Sequence, residues 1–373
     1  MRSVYYIIPT VGIGGAEKRF VELWCFLQKE KQFDLYLIIS EKLHAALKNS
    51  DAVYESLKPY ASRIRTYEIN INLPVIQFQR ELYRFICANT DSKDILHFIL
   101  SFPTYVFPLK HKNTVYSLTE SSLGNVNTKG KLLYMMNVFR AAHADILDPV
   151  VHRTLRRYFS FKRNKIHLTP GSFVDADVYK PAADYQKENW FVFLGRFFWV
   201  KQVMELLKAV PEVCRRIDAS GLAVKNYKFI FLGYAQLEDE IKALISTAEY
   251  KDLPVEIMKT DNPQEILARS KVFFSVQLKN NYPSKSLLEG IASGNIPLVT
   301  DVGTSRMIAA PEFSYYIPEY FTATHIADQL IAILSLDEIS LKQKMKTGRD
   351  FIKKNFTIQA SATYYSDLYN SFR

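Results

Sequence analysis

Residues 280–290 read Asn-Asn-Tyr-Pro-Ser-Lys-Ser-Leu-Leu-Glu-Gly, and they lie between two apolar, strand-like runs at 271–277 and 296–300. A polar loop that opens a helix after a buried strand places backbone N–H groups at the carboxyl edge of a sheet. Anionic nucleotide ligands bind at this edge in open α/β folds. Glu289 follows in the first turns of the helix, where its carboxylate can accept hydrogen bonds from sugar or ribose hydroxyls. The stretch therefore predicts an α/β fold with a nucleotide site at a helix start.

The length of the chain favours two domains. Its 373 residues, 48% of them hydrophobic, are too many for one ordinary core. Apolar runs recur between helical patterns, which indicates βα units and parallel sheets. A polar segment at 180–189 is typical of an interdomain linker. We therefore predict an N-terminal domain over residues 1–182 and a C-terminal domain over residues 188–356.

The apolar runs predict the positions of individual strands and helices. Strands are predicted at 4–9, 35–40, 64–69, 95–100, 115–118, 166–169, 191–195, 228–233, 272–276 and 297–300. Helices are predicted to start near residues 16, 203, 236, 285 and 324, with a further helix at 341–355. A last helix follows residue 356 and carries Tyr364, Tyr365, Leu368 and Tyr369 at helical spacing.

Cysteine usage and hydropathy limit the class of protein. The three cysteines are well separated and odd in number, which argues against a disulfide scaffold and a zinc site and favours a reducing cytoplasm. The apolar start is broken at Pro9, unlike a signal peptide. The longest apolar region, near 97–109, is too short to span a bilayer. We expect a cytoplasmic protein, soluble or peripheral at the cytoplasmic face of the inner membrane.

The formal charge of +10 favours anionic partners, which include phosphorylated small molecules, acidic lipid surfaces and nucleic acid. Much of this charge lies at 152–165. Together with the amphipathic stretch 131–140, this run is suited to peripheral contact with an anionic membrane. A solvated basic face and a core-facing helix stripe would give the same pattern. Nucleic acid is not expected, because the chain has no recognised binding motif and its charge is not concentrated in a tail.

A glycine-rich string follows the first predicted strand. Residues 11–18 read Val-Gly-Ile-Gly-Gly-Ala-Glu-Lys and open the first helix. Glycines allow close approach of the backbone to a ligand, and the amino end of a helix favours a phosphate. The dinucleotide fingerprint G-x-G-x-x-G is absent, and a plain strand–helix turn would also explain the string. Gly14 and Gly15 are nevertheless candidate ligand contacts.

Two cations follow the first strand of the second half. Residues 193–202 read Phe-Leu-Gly-Arg-Phe-Phe-Trp-Val-Lys-Gln. A departing nucleoside diphosphate develops negative charge, and a fixed Arg196 and Lys201 would lower the barrier by several kcal/mol. The alternative interpretation is that both side chains are ordinary solvated cations on the surface. Their joint position after a strand and upstream of the 284–290 loop favours the catalytic interpretation.

These strings, in this order, resemble the donor-binding signature of GT-B retaining glycosyltransferases of family 4, the glycosyl transferases group 1. The resemblance covers essentially the whole chain. It implies two Rossmann-like domains that face each other across a cleft, with the acceptor on the N-terminal side and the nucleotide sugar on the C-terminal domain. It also implies that the last helix, 357–373, packs back on the first domain.

The resemblance also implies which residues hold the donor. In the second domain they are Gly195, Arg196, Lys201, Ser284, Lys285, Ser286, Leu287, Glu289 and Gly303. Gly14 and Gly15 would close over the donor from the first domain.

The chain departs from the family pattern at two places. The family has two glutamates at the spacing of positions 281 and 289, and here the first is Asn281. An amide still bonds a sugar hydroxyl but cannot act as a base. Where many members have a histidine near the donor sugar, this chain has Thr119. Glu120 or His97 is the candidate substitute, although a lone histidine in an apolar strand is often a core residue.

The implied activity is transfer of a sugar from a nucleotide-diphosphate donor to an acceptor hydroxyl with retention. In the same-face displacement ascribed to the family, the departing phosphate takes the acceptor's proton, so neither a dedicated base nor a metal or other cofactor is expected. The acceptor would be a saccharide or a lipid-linked saccharide in bacterial surface polysaccharide, lipopolysaccharide or glycolipid assembly. The alternatives are a non-catalytic nucleotide-sugar-binding subunit and a nucleotide-sugar epimerase of the same fold. A phosphorylase would need a cofactor-bearing lysine site, for which no motif is present.

Overall fold

The computed structural model describes residues 3–10, 12, 15–48, 51–68, 75–100, 111–119, 128–222, 224, 226–260, 262–280 and 282–372. The chain divides into two compact units. The N-terminal unit comprises Met1–Gly171 and Ile358–Arg373, and the C-terminal unit comprises Ser172–Thr357. Each unit is built on one parallel sheet with helices, so the protein is an α/β protein.

The N-terminal unit holds a seven-stranded sheet. Its strands are β1 (Ser3–Ile8), β2 (Asp34–Ser40), β3 (Ile64–Tyr67), β4 (Ile95–Leu100), β5 (Thr114–Leu118), β6 (His143–Ile146) and β7 (Ile166–Leu168). They lie in the order β3-β2-β1-β4-β5-β6-β7, and all neighbours are parallel. The helices that connect them are α1 (Gly15–Glu30), α2 (Glu41–Lys48), α3 (Asp51–Leu57), α4 (Val75–Asn89), α5 (Thr128–Arg140) and α6 (Pro149–Tyr158).

The C-terminal unit holds a six-stranded parallel sheet. Its strands are β8 (Glu188–Leu194), β9 (Lys228–Leu232), β10 (Val255–Met258), β11 (Ser270–Ser275), β12 (Ile296–Thr300) and β13 (Tyr315–Ile317), in the order β10-β9-β8-β11-β12-β13. Its helices are α7 (Val203–Ala219), α8 (Glu238–Ile245), α9 (Pro263–Arg269), α10 (Lys285–Ala292), α11 (Ala323–Leu334) and α12 (Glu338–Asn355). The strand order reverses between β8 and β11, which is the topological switch point of a Rossmann-like sheet.

The C-terminal sheet is buried on both faces. In β8, Phe191 and Phe193 pack with the cluster that contains α7 and α11, whereas Val192 packs with the cluster that contains α10 and α12. Successive side chains of a strand point to opposite faces, so both must be apolar here. This is why the strands read as continuous apolar runs in the sequence.

The last helix, α13 (Ile358–Asn370), belongs to the N-terminal unit. Its inward face carries buried Tyr365, Leu368 and Tyr369. The Tyr365 hydroxyl donates to Asp145 Oδ2 at 2.7 Å, and the Tyr369 hydroxyl donates to that of Tyr6 at 2.8 Å. The helix is therefore fixed to the sheet through β6 and β1.

The structure differs from the predicted domain boundary. Residues 172–182, which the sequence placed in the first domain, belong to the C-terminal unit. Val174 N–H donates to Phe356 O at 2.9 Å, and the Arg349 guanidinium donates to Ala176 O and Tyr179 O at 2.8 and 2.9 Å. These contacts to α12 and to the residue that follows it hold residues 172–182 in the C-terminal unit. Because they join positions that are far apart in sequence, the polar linker pattern at 180–189 could not indicate them.

Three strands were not predicted from the sequence. They are β6, β10 and β13, which have only three or four residues each. The β6 sequence His-Ala-Asp-Ile also contains two polar side chains that become buried by bonding to other elements. Strands of this length carry little apolar pattern, so only some of them, such as β3 and β7, are recognised locally.

Candidate functional site

Three loops meet at the carboxyl edge of the C-terminal sheet. They follow β8, β11 and β12, on the side of the switch point where ligands bind in open α/β sheets. Leu278 N–H, after β11, donates to Val200 O, after β8, at 3.0 Å. Gln277 N–H donates to Thr300 Oγ1, at the end of β12, at 3.0 Å. The three loops are therefore bonded to one another directly.

Lys201 lies half-buried among these loops. Its Nζ donates to Gln277 Oε1 at 3.1 Å. Burial, together with the positive charge of Arg196, lowers the pKa of the Lys201 ammonium to about 8. The site therefore holds a cation that is only partly compensated by an amide dipole, and an incoming anion would stabilise its charged form.

Gln277 is the residue that fixes Lys201, and the sequence did not point to it. Its backbone is held by one hydroxyl, because Thr300 Oγ1 accepts from Gln277 N–H and donates to Gln277 O, both at 3.0 Å. Both residues are buried. Only the adjacency of β8, β11 and β12 brings this amide to Lys201, so no local pattern could have indicated it.

Arg196 is anchored through its backbone neighbours and exposes its side chain. Gly195 N–H donates to Leu232 O at 3.0 Å, which continues the β8–β9 pairing. The loop that follows β9 passes so close to Gly195 that a Cβ atom on Gly233 would overlap the carbonyl oxygen of Gly195. The Arg196 guanidinium lies 5.0 Å from the centre of the Phe198 ring and is open to solvent. A ligand at this edge can therefore reach it.

The start of α10 provides the third component of the edge. Ser284 is buried and precedes the helix, and its Oγ lies 3.4 Å from Ser286 Oγ. Among the residues that the structure describes, the Ser284 side chain does not cap the helix. The first N–H groups of a helix have no partner within it and point out of its amino end. Lys285 is exposed, whereas Leu287 and Glu289 are buried on α10.

Asn280 joins the loop after β11 to the loop after β12. Its Oδ1 accepts from Thr304 N and Thr304 Oγ1 at 3.2 and 3.1 Å. Gly303 has a φ of +56°, and a Cβ there would lie 2.5 Å from Asn280 Cβ. Gly303 is therefore required by both its backbone conformation and this close approach. The sequence indicated Gly303 but not Asn280, although asparagine in a polar turn is a known signal of such a side-chain link.

The structure thus brings several of the predicted donor residues into one set of bonded loops. They are Gly195, Arg196, Lys201 and Gly303, with Ser284, Lys285, Ser286, Leu287 and Glu289 on the following helix or at its start. Gly15 begins α1 in the N-terminal unit. Gly14, Glu120 and Asn281 lie outside the described residues.

His97 lies in the interior of the N-terminal unit rather than at a ligand site. It lies within β4 and is fully buried. Its Nδ1 is 2.7 Å from the Tyr369 hydroxyl, and its Nε2 is 2.6 Å from Ser117 Oγ. Burial, with a smaller effect of Arg19, lowers the pKa of the imidazole to about 3, so the ring is neutral. Both ring nitrogens bond to protein groups, so His97 is a core residue and the prediction of an acceptor contact is corrected.

Comparison with known proteins identifies the C-terminal unit. Residues 178–350 match the family model described as "Glycosyl transferases group 1". This unit is a group 1 glycosyltransferase domain. The glycosyltransferase is 22% identical over 302 residues to N-acetyl-alpha-D-glucosaminyl L-malate synthase of Bacillus anthracis, and the match covers 76% of each chain.

A second relative of the glycosyltransferase comes from Campylobacter jejuni. It is a GalNAc-alpha-(1->4)-GalNAc-alpha-(1->3)-diNAcBac-PP-undecaprenol alpha-1,4-N-acetyl-D-galactosaminyltransferase, 22% identical over 285 residues, with 73% of this chain and 72% of the relative covered. Among solved structures, Anabaena Alr3699/HepE in complex with UDP superimposes with a TM-score of 0.77 at 10% identity over 100% of both chains. The fold of the glycosyltransferase is therefore GT-B.

Proposed function

We propose that this glycosyltransferase transfers a sugar from a nucleotide-diphosphate donor to an acceptor hydroxyl with retention of anomeric configuration. One observation carries the proposal. The ammonium of Lys201 lies 3.1 Å from Gln277 Oε1, in bonded loops at the switch point of the C-terminal sheet. A half-buried cation beside an exposed guanidinium is suited to a pyrophosphate, which carries the charge that such groups stabilise.

The donor is held by the C-terminal unit in this proposal. Its pyrophosphate lies against the first-turn N–H groups of α10, between Arg196 and Lys201, because the amino end of a helix favours an anion. Glu289 accepts from ribose hydroxyls. That Anabaena Alr3699/HepE was crystallised with UDP supports a uridine nucleotide as the first to test. No metal or other cofactor is required, since the two cations take the developing charge.

The reaction breaks the bond between the anomeric carbon and the diphosphate oxygen. The acceptor oxygen forms its bond to the same carbon on the same face, and its proton passes to the departing phosphate oxygen. Negative charge grows on the diphosphate during this step. Arg196 and Lys201 stabilise it most strongly in the transition state, which is where stabilisation accelerates a reaction.

The acceptor in this proposal is a saccharide or lipid-linked saccharide of bacterial surface polysaccharide or glycolipid assembly. The positive charge of the chain supports peripheral contact with an anionic membrane, and its three separated cysteines support a cytoplasmic location. The relative from Campylobacter jejuni, whose name describes a PP-undecaprenol-linked saccharide, supports the same class of acceptor.

The test measures turnover of UDP-, GDP- and ADP-sugars, as hydrolysis and as transfer to saccharide acceptors. Arg196→Ala and Lys201→Ala should each lower turnover of the preferred donor about 100-fold or more, as loss of a preorganised donor does. Lys208→Ala removes an exposed cation from α7 and should leave turnover unchanged.

Three outcomes would contradict the proposal. Inversion of the anomeric centre, read from the proton coupling constant of the product, would exclude retention. Tight donor binding without any turnover would favour the non-catalytic subunit. Wild-type rates in both cation variants would remove their assigned role.

A further inference from the structure

An apolar ridge is exposed on the N-terminal unit. Leu132, Met136 and Phe139 of α5 are 58%, 40% and 58% exposed. Their spacing of four and three residues places them on one face of the helix. Phe161, which is 75% exposed, extends this face, because its ring centre lies 6.3 Å from that of Phe139. We call these four residues the exposed apolar ridge.

The ridge is held in place by the segment that follows α6. Lys162 Nζ donates to Val138 O and Phe139 O at 3.0 and 2.9 Å, and also to Ala141 O. These carbonyls lie at the end of α5, where a helix leaves acceptors unsatisfied. The buried ring of Phe159 contacts those of both Phe139 and Phe161. Two large aromatic side chains are thus fixed next to each other in solvent.

The exposed charges of the segment that carries the ridge are of one sign. Every residue of 128–165 is described, and this segment contains nine Lys and Arg against two Asp, a net charge of +7. Both carboxylates are buried, because Asp145 bonds α13 and Asp148 caps α6. Lys131 adjoins Leu132, and Arg163 follows Phe161 closely; both cations are exposed. The surface of the segment therefore presents cations and no carboxylate.

We propose that the exposed apolar ridge docks on an anionic lipid bilayer. Apolar side chains at the headgroup–acyl boundary with cations on the lipid phosphates are the arrangement of interfacial helices. A second copy of the chain is disfavoured as the occupant, because it would bring two segments of +7 together. Docking would bring the enzyme to a lipid-linked acceptor, and this consequence rests on the proposed function. Binding to the bilayer itself does not depend on that function.

The test uses the full chain and vesicles of phosphatidylcholine, with or without phosphatidylglycerol, in a flotation assay. Binding is expected only with phosphatidylglycerol. It should weaken as added salt shortens the screening length from about 10 Å at 0.1 M to about 3 Å at 1 M. The double variant Phe139→Ser/Phe161→Ser should partition at least about 20-fold less. Lys131→Gln/Arg163→Gln should partition about 30-fold less.

The matched control is Ile339→Ser, which removes an exposed apolar side chain of the C-terminal unit and should bind as wild type. Circular dichroism melting and the rise in melting temperature with UDP verify that each variant is folded. Absence of vesicle binding, or equal binding by the ridge variant, would overturn the inference. The inference would also be overturned if the wild type did not bind vesicles but formed a dimer, or a complex with an oligonucleotide or an acidic protein, that the ridge variant does not form. Turnover is read separately, so donor turnover without vesicle binding contradicts this inference alone, and vesicle binding without turnover contradicts the proposed function alone.

Discussion

At the scale of single residues, the pKa of Lys201 predicts an upper pH limit for activity. Burial and Arg196 both oppose a charge at this position and lower the pKa to about 8. The free enzyme therefore loses the cation as the pH rises through about 8. If the charged form binds the pyrophosphate, kcat/KM for the donor should fall about tenfold per pH unit above that value. A pH profile of kcat/KM measures this, because it reports the free enzyme.

Variants at two positions serve as controls for this assignment. Gln277→Glu places a carboxylate at the amide that accepts from Lys201, and an opposite charge raises the pKa of the ammonium. The alkaline limb should then move to higher pH. Lys201→Arg keeps its charge throughout, so any activity that remains should lack the limb. An unchanged limb in both variants would assign it to another group.

The residues of the site were predictable to the extent that their signals are local. Arg196 and Lys201 follow a strand at a recognisable spacing, and Gly303 follows the strand β12. Gln277 was missed because its partner Lys201 is 76 positions away and is reached only through strand order. His97 was misassigned because Tyr369, which covers it, comes 272 positions later.

At the scale of elements, α13 is attached to the N-terminal sheet by a buried polar network. Asp145 accepts from Ser117 Oγ at 2.7 Å, and from the Tyr364 and Tyr365 hydroxyls at 2.6 and 2.7 Å. Most buried polar groups in proteins are hydrogen-bonded, and the loss of one partner leaves the other desolvated. The network therefore makes the position of this helix specific as well as stable.

Tyr369→Phe tests this attachment. The change removes the hydroxyl that bonds both His97 Nδ1 and the Tyr6 hydroxyl, and it leaves the ring in place. The free energy of unfolding should fall by about 1–3 kcal/mol, since two buried polar groups lose a partner. Urea unfolding measures it, with Tyr320→Phe as the control at a largely exposed tyrosine. A Tyr369 variant as stable as the control would show that its hydrogen bonds to His97 and Tyr6 contribute nothing to stability.

The strands that read as apolar runs were predictable and β6 was not, for a physical reason. A strand segment buried on both faces must be apolar, as residues 191–193 of β8 and 272–274 of β11 are, and this is visible in the sequence. In β6 the inward residues His143 and Asp145 are polar, and their burial depends on His167 and on the tyrosines of α13. Only the assembled sheet reveals such a strand.

At the scale of the whole molecule, two units share one topological plan. In each, the strand order reverses between the first and fourth strands of the unit, which creates a switch point at the carboxyl edge. The α/β class follows from the alternation of apolar strands and helices that the sequence displays, whereas the GT-B fold was implied by the resemblance of its motifs to the family. The boundary between the units did not follow, because residues 172–182 are held by contacts to α12 rather than by their own pattern.

A nucleotide should stabilise this molecule mainly through the C-terminal unit, which supplies most of the proposed donor contacts. A ligand that binds only the folded state adds RT ln(1 + [L]/Kd) to the free energy of unfolding, about 2.7 kcal/mol at 100 times Kd. UDP should therefore raise the melting temperature of the wild type, and Arg196→Ala and Lys201→Ala should lose most of this rise. Tyr369→Phe lowers the starting stability but belongs to the N-terminal unit, so it should retain the full increment, as independent sites do. Differential scanning fluorimetry over a series of UDP concentrations measures all four proteins. An equal rise in the Lys201→Ala protein, or loss of the rise in Tyr369→Phe, would place the nucleotide elsewhere.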